Sequence, residues 1–291
     1  MLKRIITSIV ALCVFVPVIF LHETWVLPIA VALCTVIGCW EMLSCIGKQK
    51  NFFLTVPICL AAAFFPVYIR FEYLNGASLL NILKLSMGIT FLFALYIFGV
   101  AVFANKSLPV AEAGLIFAVC FYIIAAFSSI IYIHDFVRTD VNKTYIYLLA
   151  FICAWVTDSF AYFSGRLFGK HKLIPAVSPK KTVEGAIGGV VFCVISMLVF
   201  GFVIVRFFNP SGALTANYLV LGISGVFISV VSQIGDLVMS VIKRKYGIKD
   251  YGWIFPGHGG ILDRFDSVLA VSLMLAFICT YFELLPVVIS C

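Results

Sequence analysis

Residues 185–207 read GAIGGVVFCVISMLVFGFVIVRF, an apolar run whose single charge, Arg206, sits at its far end. At a rise of 1.5 Å per residue, a helix of that length crosses a hydrocarbon core of about 30 Å. Working outward, comparable runs lie at 5–21, 25–46, 52–69, 79–104, 113–132, 145–163, 218–241 and 268–288. None has the alternating pattern of a barrel strand, and backbone groups in lipid must satisfy one another, so each run is read as a helix. The expected fold is an all-α polytopic integral membrane protein with about nine transmembrane helices.

Composition agrees. The 291 residues are 63% hydrophobic and 11% charged, with a mean hydropathy of +1.15, whereas a soluble domain carries about 25% charged residues. The net charge of +7 raises nucleic acid as a partner. However, the basic residues fall between apolar runs, so the charge is assigned to membrane topology and an anionic ligand, and no nucleic acid is expected. The ten cysteines include no CxxC pair; Cys13, Cys34, Cys39, Cys59, Cys120, Cys153, Cys193 and Cys279 sit singly in apolar stretches as small hydrophobes. Leu2-Lys3-Arg4 before an apolar run imitates a signal peptide without a clear cleavage site, and it is read as a retained first helix.

The connections give an orientation. With the N-terminus inside, Lys3, Arg4, Lys48, Lys50, Lys106, Arg166, Lys170, Lys172, Lys180, Lys181, Lys243, Arg244, Lys245, Lys249 and Arg264 are cytoplasmic. Arg70, Arg138, Lys143 and Arg206 are outside. This bias places the N-terminus in the cytoplasm and the C-terminus outside, although much of it comes from two connections, 164–184 and 242–267. Residues 1–143 read as a scaffold of helices, a candidate lipid groove, and 144–291 as the region carrying the chemistry.

The second of those connections belongs to SVIKRKYGIKDYGWIFPGHGGILDRFD, residues 240–266. Basic residues precede a glycine-rich turn and acidic ones follow it. Six acidic residues fall between 158 and 266: Asp158, Glu184, Asp236, Asp250, Asp263 and Asp266. Asp158 and Asp236 lie within or at the end of apolar helices, where a charge usually faces the bundle interior and has a partner. Ser232, Asp236, Ser240 and Lys243 recur at i, i+4, i+8 and i+11, on one helical face. Asp263, Asp266 and Ser267 share a face at the start of the last helix, where carboxylates complement the helix N-terminus. Hard carboxylates on two helices also suit Mg²⁺ with substrate phosphates, and Asp236 and Asp263 are the leading ligands. In Pro256-Gly257-His258-Gly259-Gly260, glycines let a backbone approach a phosphate.

The connection WVTDSFAYFSGRLFGKHKLIPAVSPKKTVEG (155–185) adds Arg166, Lys170, Lys172, Lys180 and Lys181 beside Ser178 and Thr182. Positive-inside anchoring explains two or three of these; five beside hydroxyls read as a phosphate clamp. Gly165-x-x-x-Gly169-Lys170 is one residue short of a P-loop and lacks its Ser/Thr. With no Ser-His-Asp elbow and no HExxH, the residues point to metal-assisted transfer of a phosphorus group.

Ser240-x-Ile242-Lys243-Arg244, Lys249-Asp250 and Pro256-x-His258-Gly259-Gly260-x-x-Asp263-Arg264-x-Asp266 together resemble the signature of phosphatidate cytidylyltransferases. Asp158-Ser-Phe-Ala-Tyr-Phe, Ser178-Pro-Lys-Lys-Thr-Val-Glu-Gly185 and Gly235-Asp236 are similar to further segments of that family. The resemblance covers roughly residues 155–270. It implies condensation of CTP with phosphatidate to CDP-diacylglycerol and pyrophosphate, at the cytoplasmic face of the inner membrane. It implies Mg²⁺ on Asp236 and Asp263, with Asp158 as a further ligand, and with or without a second cation such as K⁺. Lys243, Arg244, Arg264 and Asp266 would join the aspartates in catalysis. Ser178, Lys180, Lys181, Thr182, Ser240, Lys249, His258, Gly259 and Gly260 would bind substrate. A cytidylyltransferase acting on an isoprenoid-ether lipid phosphate, or an anion transporter, remains an alternative. The face Gly185-x-x-Gly188-Gly189 permits close helix packing within one chain or in a homodimer.

Overall fold

The computed structural model describes residues 13, 15–104, 108–137, 145–175, 177–208, 215–255, 257, 259–282 and 284–285. Among the described residues, eight long helices follow residue 25: α1 (Val26–Ile46), α2 (Phe52–Leu74), α3 (Leu79–Phe103), α4 (Val110–Phe136), α5 (Leu148–Phe168), α6 (Val183–Phe207), α7 (Tyr218–Lys245) and α8 (Leu262–Tyr281). Among the described residues, α1 to α7 are long and apolar enough to cross a membrane. The chain is a polytopic integral membrane protein. Each of these seven overlaps an expected run. The first expected run, 5–21, lies largely outside the described residues, with 15–20 helical. The last helix starts at Leu262 rather than near 268 and so takes Asp263 into its first turn.

One element departs from an all-helical reading. Between α5 and α6, β1 (Lys172–Ile174) and β2 (Ser178–Thr182) pair antiparallel, with Lys172 opposite Thr182 and Ile174 opposite Ser178. Pairing satisfies backbone groups of the connection between these two helices. Val183 N–H closes it onto His171 O at 3.0 Å. His171 N–H and its ring nitrogen Nδ1 also meet the Glu184 carboxylate, the ring at 2.7 Å.

The chain forms two compact units. The first comprises Met1–Ile131 and Ile248–Arg264, the second Tyr132–Gly247 and Phe265–Cys291. In the first, α1 packs on α2 over a core that includes Leu43, Leu54, Ile58 and Ile116. A Schellman motif ends α1: Lys48 N–H donates to Leu43 O, Gly47 N–H donates to Ser44 O, and Gly47 has φ 77°. Helix α3 buries only Ile82, Ile97 and Ala101, so most of its apolar surface is left to lipid.

The second unit is built on α5, α6 and α7. Glycines of α6 allow α5 to approach closely. A Cβ on Gly189 would lie 3.0 Å from Thr157 O and 3.3 Å from Ala161 Cβ, and one on Gly185 would lie 3.1 Å from Gly165 Cα. The glycine face is therefore used within the chain. Phe160 and Phe192 stack across the same seam at 3.7 Å between centroids. On the other side of α6, a Cβ on Gly225 would meet Val194 Cα at 2.8 Å. Thr157 Oγ1 donates to Ser229 Oγ at 3.2 Å in the buried centre.

Gly189→Leu would force α5 from α6 and should cost about 1–3 kcal/mol. Ile187→Leu, on the 60% exposed face of the same turn, should stay within about 0.5 kcal/mol. Thermal unfolding in detergent distinguishes the two.

Candidate functional site

The seam between α5 and α6 opens at the hairpin end into a cavity of about 280 Å³ within the second unit. Helix α5 contributes Asp158, Ala161, Tyr162, Gly165 and Arg166. The hairpin adds Leu173, Lys180, Lys181 and Thr182, helix α6 Gly185 and Ala186, and helix α7 Gln233 and Asp236. Thr182 is the N-cap of α6, and its Oγ1 accepts from Gly185 N–H at 3.1 Å. A Cβ on Gly165 would sit 2.7 Å from that same Oγ1, so the glycine is what lets the capped helix start close to α5. Gly165 and Gly169 thus have a packing explanation, in line with rejecting them as a P-loop.

Capping fixes the strand that precedes it. Lys181 reaches Asp236 Oδ2 at 2.5 Å, with both side chains about a quarter exposed. Ser240 Oγ donates to Asp236 Oδ1 at 3.4 Å, which confirms the shared face of that polar stripe on α7. Ser267 Oγ donates to Asp158 Oδ2 at 2.8 Å, and Ser267 N–H donates to Asp266 Oδ1 at 2.9 Å. Asp266 precedes the apolar run that begins at 268. Its carboxyl is held well above the usual carboxylate range, first by burial and then by the charges of Asp236 and Asp158, against the Ser267 N–H and the Lys243 ammonium. The acidic groups of this unit therefore feel one another, and Lys181 and Lys243 are the cations beside them. Gln233 Nε2 donates to Ala186 O and Ser229 Oγ at 3.2 and 3.4 Å, which fixes its place in the wall.

Within the first unit, the glycine-rich connection is organised by two carboxylates. Asp263 Oδ2 accepts from Tyr251 N–H at 2.7 Å and Gly260 N–H at 2.9 Å. Gly259 has φ +87°, and a Cβ there would lie 2.5 Å from Asp263 Oδ2. Phe255 and Gly259 exchange backbone hydrogen bonds at 2.9 and 3.1 Å. Glu41, on α1, accepts from Ile261 N–H and Leu262 N–H at 3.0 and 2.9 Å. Of the amides that the sequence offers to a phosphate, that of Gly260 is bound to a carboxylate and that of Gly259 to the Phe255 carbonyl.

A sequence model described as the Cytidylyltransferase family matches residues 2–282. The chain belongs to the cytidylyltransferase family. Among similar proteins, a phosphatidate cytidylyltransferase of Bacillus subtilis is 34% identical, covering 97% of this chain and 99% of its own. One from Staphylococcus saprophyticus is 36% identical over 92% and 95%. Another, from Haemophilus influenzae, is 30% identical over 92% and 94%.

Of the residues expected in the site of this cytidylyltransferase, Asp158, Asp236, Lys180, Lys181 and Thr182 line the same cavity. Ser178 begins β2, paired with Ile174. Ser240 and Lys243 continue the Asp236 face of α7, with Lys243 buried, while Arg244 and Lys249 are exposed beyond it. Asp263, Gly259 and Gly260 belong to the first unit, as does the exposed Arg264. Pro256 and His258 lie outside the described residues. Sequence reading passed over Gln233, Tyr162 and Glu41. Gln233 follows Ser232, whose stripe drew the attention. Glu41 was a lone acid in an apolar run, a signal that ordinarily calls for a partner.

Replacing Thr182 with Val keeps its shape but removes the Oγ1 acceptor of the Gly185 N–H. Stability in detergent should fall by about 1 kcal/mol, read from thermal unfolding; an unchanged midpoint would show that the cap does not anchor the hairpin.

Proposed function

We propose that this cytidylyltransferase condenses CTP with phosphatidate, giving CDP-diacylglycerol and pyrophosphate for phospholipid synthesis. The observation that carries this reading is a match over nearly the whole length of proteins named phosphatidate cytidylyltransferase. The pocket chemistry supports it. An oxygen of the phosphatidate phosphate attacks the α-phosphorus of CTP. The new P–O bond forms as the bond from that phosphorus to the β-phosphate bridging oxygen breaks, and the electron pair leaves with pyrophosphate. Both reactants are anions, so cations must meet them. Lys180 and Lys181 on β2 and Arg166 on α5 all lie at the cavity wall and would bind phosphate. Phosphatidate already carries acidic oxygens, so no general base is required.

The carboxylates and hydroxyls of Asp158, Asp236, Ser240 and Ser267 offer hard oxygen donors, a fitting set for Mg²⁺. Asp158 and Asp236 would hold it, with or without a second cation such as K⁺. When bound, the ion would neutralise phosphate charge and orient the nucleotide. Lys181 is paired with Asp236 and would turn to phosphate if that carboxylate held the ion. Asp266, Lys243 and Ser240 extend this set along α7 and α8. Asp263 keeps its expected role as a ligand on the resemblance, beside the part it plays in shaping its own turn. Arg244 and Arg264 are proposed for catalysis, and Lys249, Ser178, Thr182, His258, Gly259 and Gly260 for substrate, on the same ground.

Nine spans with the N-terminus inside and the C-terminus outside would put this site at the cytoplasmic face of the inner membrane. CTP would arrive from the cytoplasm while the diacyl tail stays in lipid. Cysteines introduced at Ile174 and Lys245 should then label only from the cytoplasmic side, and one at Asn75 only from the other. Reversed labelling would overturn the orientation.

The reaction is tested with purified protein, CTP labelled at the α-phosphate, phosphatidate and Mg²⁺. Both products should form one-to-one. Asp236→Asn should lower kcat by at least about 100-fold, and Lys181→Ala should lower kcat/KM for CTP by about 10- to 100-fold. Both variants should stay inserted and monodisperse. Product from another lipid phosphate but none from phosphatidate would change the substrate; no product from any, with folded protein, would overturn the enzyme reading.

A further inference from the structure

Glu41 sits within an apolar helix with 4% of its surface exposed, yet it touches a segment more than two hundred residues away in sequence. Its two oxygens are divided between two consecutive amides: Oε1 accepts from Ile261 N–H at 3.0 Å and Oε2 from Leu262 N–H at 2.9 Å. These are among the donors that a helix leaves unused at its N-terminus, here that of α8. A carboxylate is the natural partner for them, by charge-assisted bonds and by the helix dipole.

The loop is shaped to receive it. A Cβ on Gly252 or Gly260 would collide with the Glu41 carboxylate. One turn earlier on α1, a Cβ on Gly38 would lie 3.1 Å from Leu262 Cδ2, so Gly38 and Glu41, three residues apart on one face, seat the start of α8 together. Asp263 takes the Tyr251 and Gly260 amides, so two carboxylates hold four amides of one connection.

We infer that Glu41 is a positioning residue. By clamping the amides of residues 261 and 262 it fixes the turn 251–262, and so the direction in which Asp263 and Arg264 leave the N-terminus of α8. Its consequence for turnover rests on the proposed function, in which those two residues serve the reaction. Lys180, Lys181, Asp158 and Asp236 of the cavity belong to the second unit, whereas the clamped turn carries only part of the groups proposed for substrate. Loss of the clamp should therefore lower kcat by more than it raises the KM for CTP.

The test is Glu41→Gln in the full-length protein in detergent. The amide offers one acceptor where the carboxylate offers two, and its NH₂ faces an N–H donor. Hydrogen exchange of the 251–262 amides should speed up by about tenfold or more, while exchange in α5 and α6 is unaltered. kcat for CDP-diacylglycerol formation should drop by about tenfold or more, with a smaller rise in the KM for CTP. Gly252→Ala strikes the same carboxylate from the loop side and should reproduce both effects, which covers a Glu41 variant that fails to fold. Unchanged exchange in the loop overturns the clamp. Faster exchange with normal kcat overturns the link to turnover and leaves a purely structural contact. Wild-type protein that makes no CDP-diacylglycerol, with a loop loosened in the variant, removes the proposed reaction and supports the clamp.

Discussion

A carboxylate enclosed by apolar helices must be answered by a cation or by hydrogen-bond donors, because isolation from water is costly for an ion. This chain carries several such groups and answers them in two ways. Asp236 meets the Lys181 ammonium and the Ser240 hydroxyl, and Asp158 meets the Ser267 hydroxyl. Glu41 and Asp263 are answered by backbone amides. A side-chain partner can turn away when a ligand competes for its carboxylate, whereas a backbone partner is part of the fold. Glu41 is thereby committed to the loop, and Asp263 shapes its turn in addition to the ligand role proposed for it.

Close packing makes the first kind possible. The hairpin and the start of α6 approach α5 only because Gly165, Gly185 and Gly189 carry no side chains at the seam. Thr182 caps α6 and ends β2 in the same residue, which sets Lys181 one position before a fixed point. Lys181 can then reach Asp236 on a third helix. A cavity bounded by two cationic side chains of β2, a guanidinium of α5 and two carboxylates follows from that arrangement. It suits an anionic ligand accompanied by a cation.

Much of the fold was legible in the sequence because membrane helices declare themselves by length and apolarity, and the runs from 25 to 241 match α1 to α7 closely. Asp236, Ser240 and Lys243 could be placed on one face by spacing alone, and Lys181 stood out as a cation near hydroxyls. The pairing of Lys181 with Asp236 was not legible, since it depends on a hairpin in a stretch too short and too charged to register as strand. Glu41 was missed for a related reason: its partners are backbone amides, which carry no sequence signature, at a separation no local pattern spans. The glycines of 257–260 read as a phosphate cradle because small residues permit any close approach; only the fold reveals that carboxylates occupy the space beside Gly259 and Gly260, as they do beside Gly252.

Binding of Mn²⁺ to the purified protein, with and without CTP, tests the central claim most directly, since it observes the cation and nucleotide at the carboxylates without relying on turnover. The account predicts tight, CTP-dependent binding in the wild type that is lost in Asp236→Asn and weakened in Asp158→Asn. Equal CTP-dependent binding in the wild type and both variants would contradict it and move the cation away from this pocket.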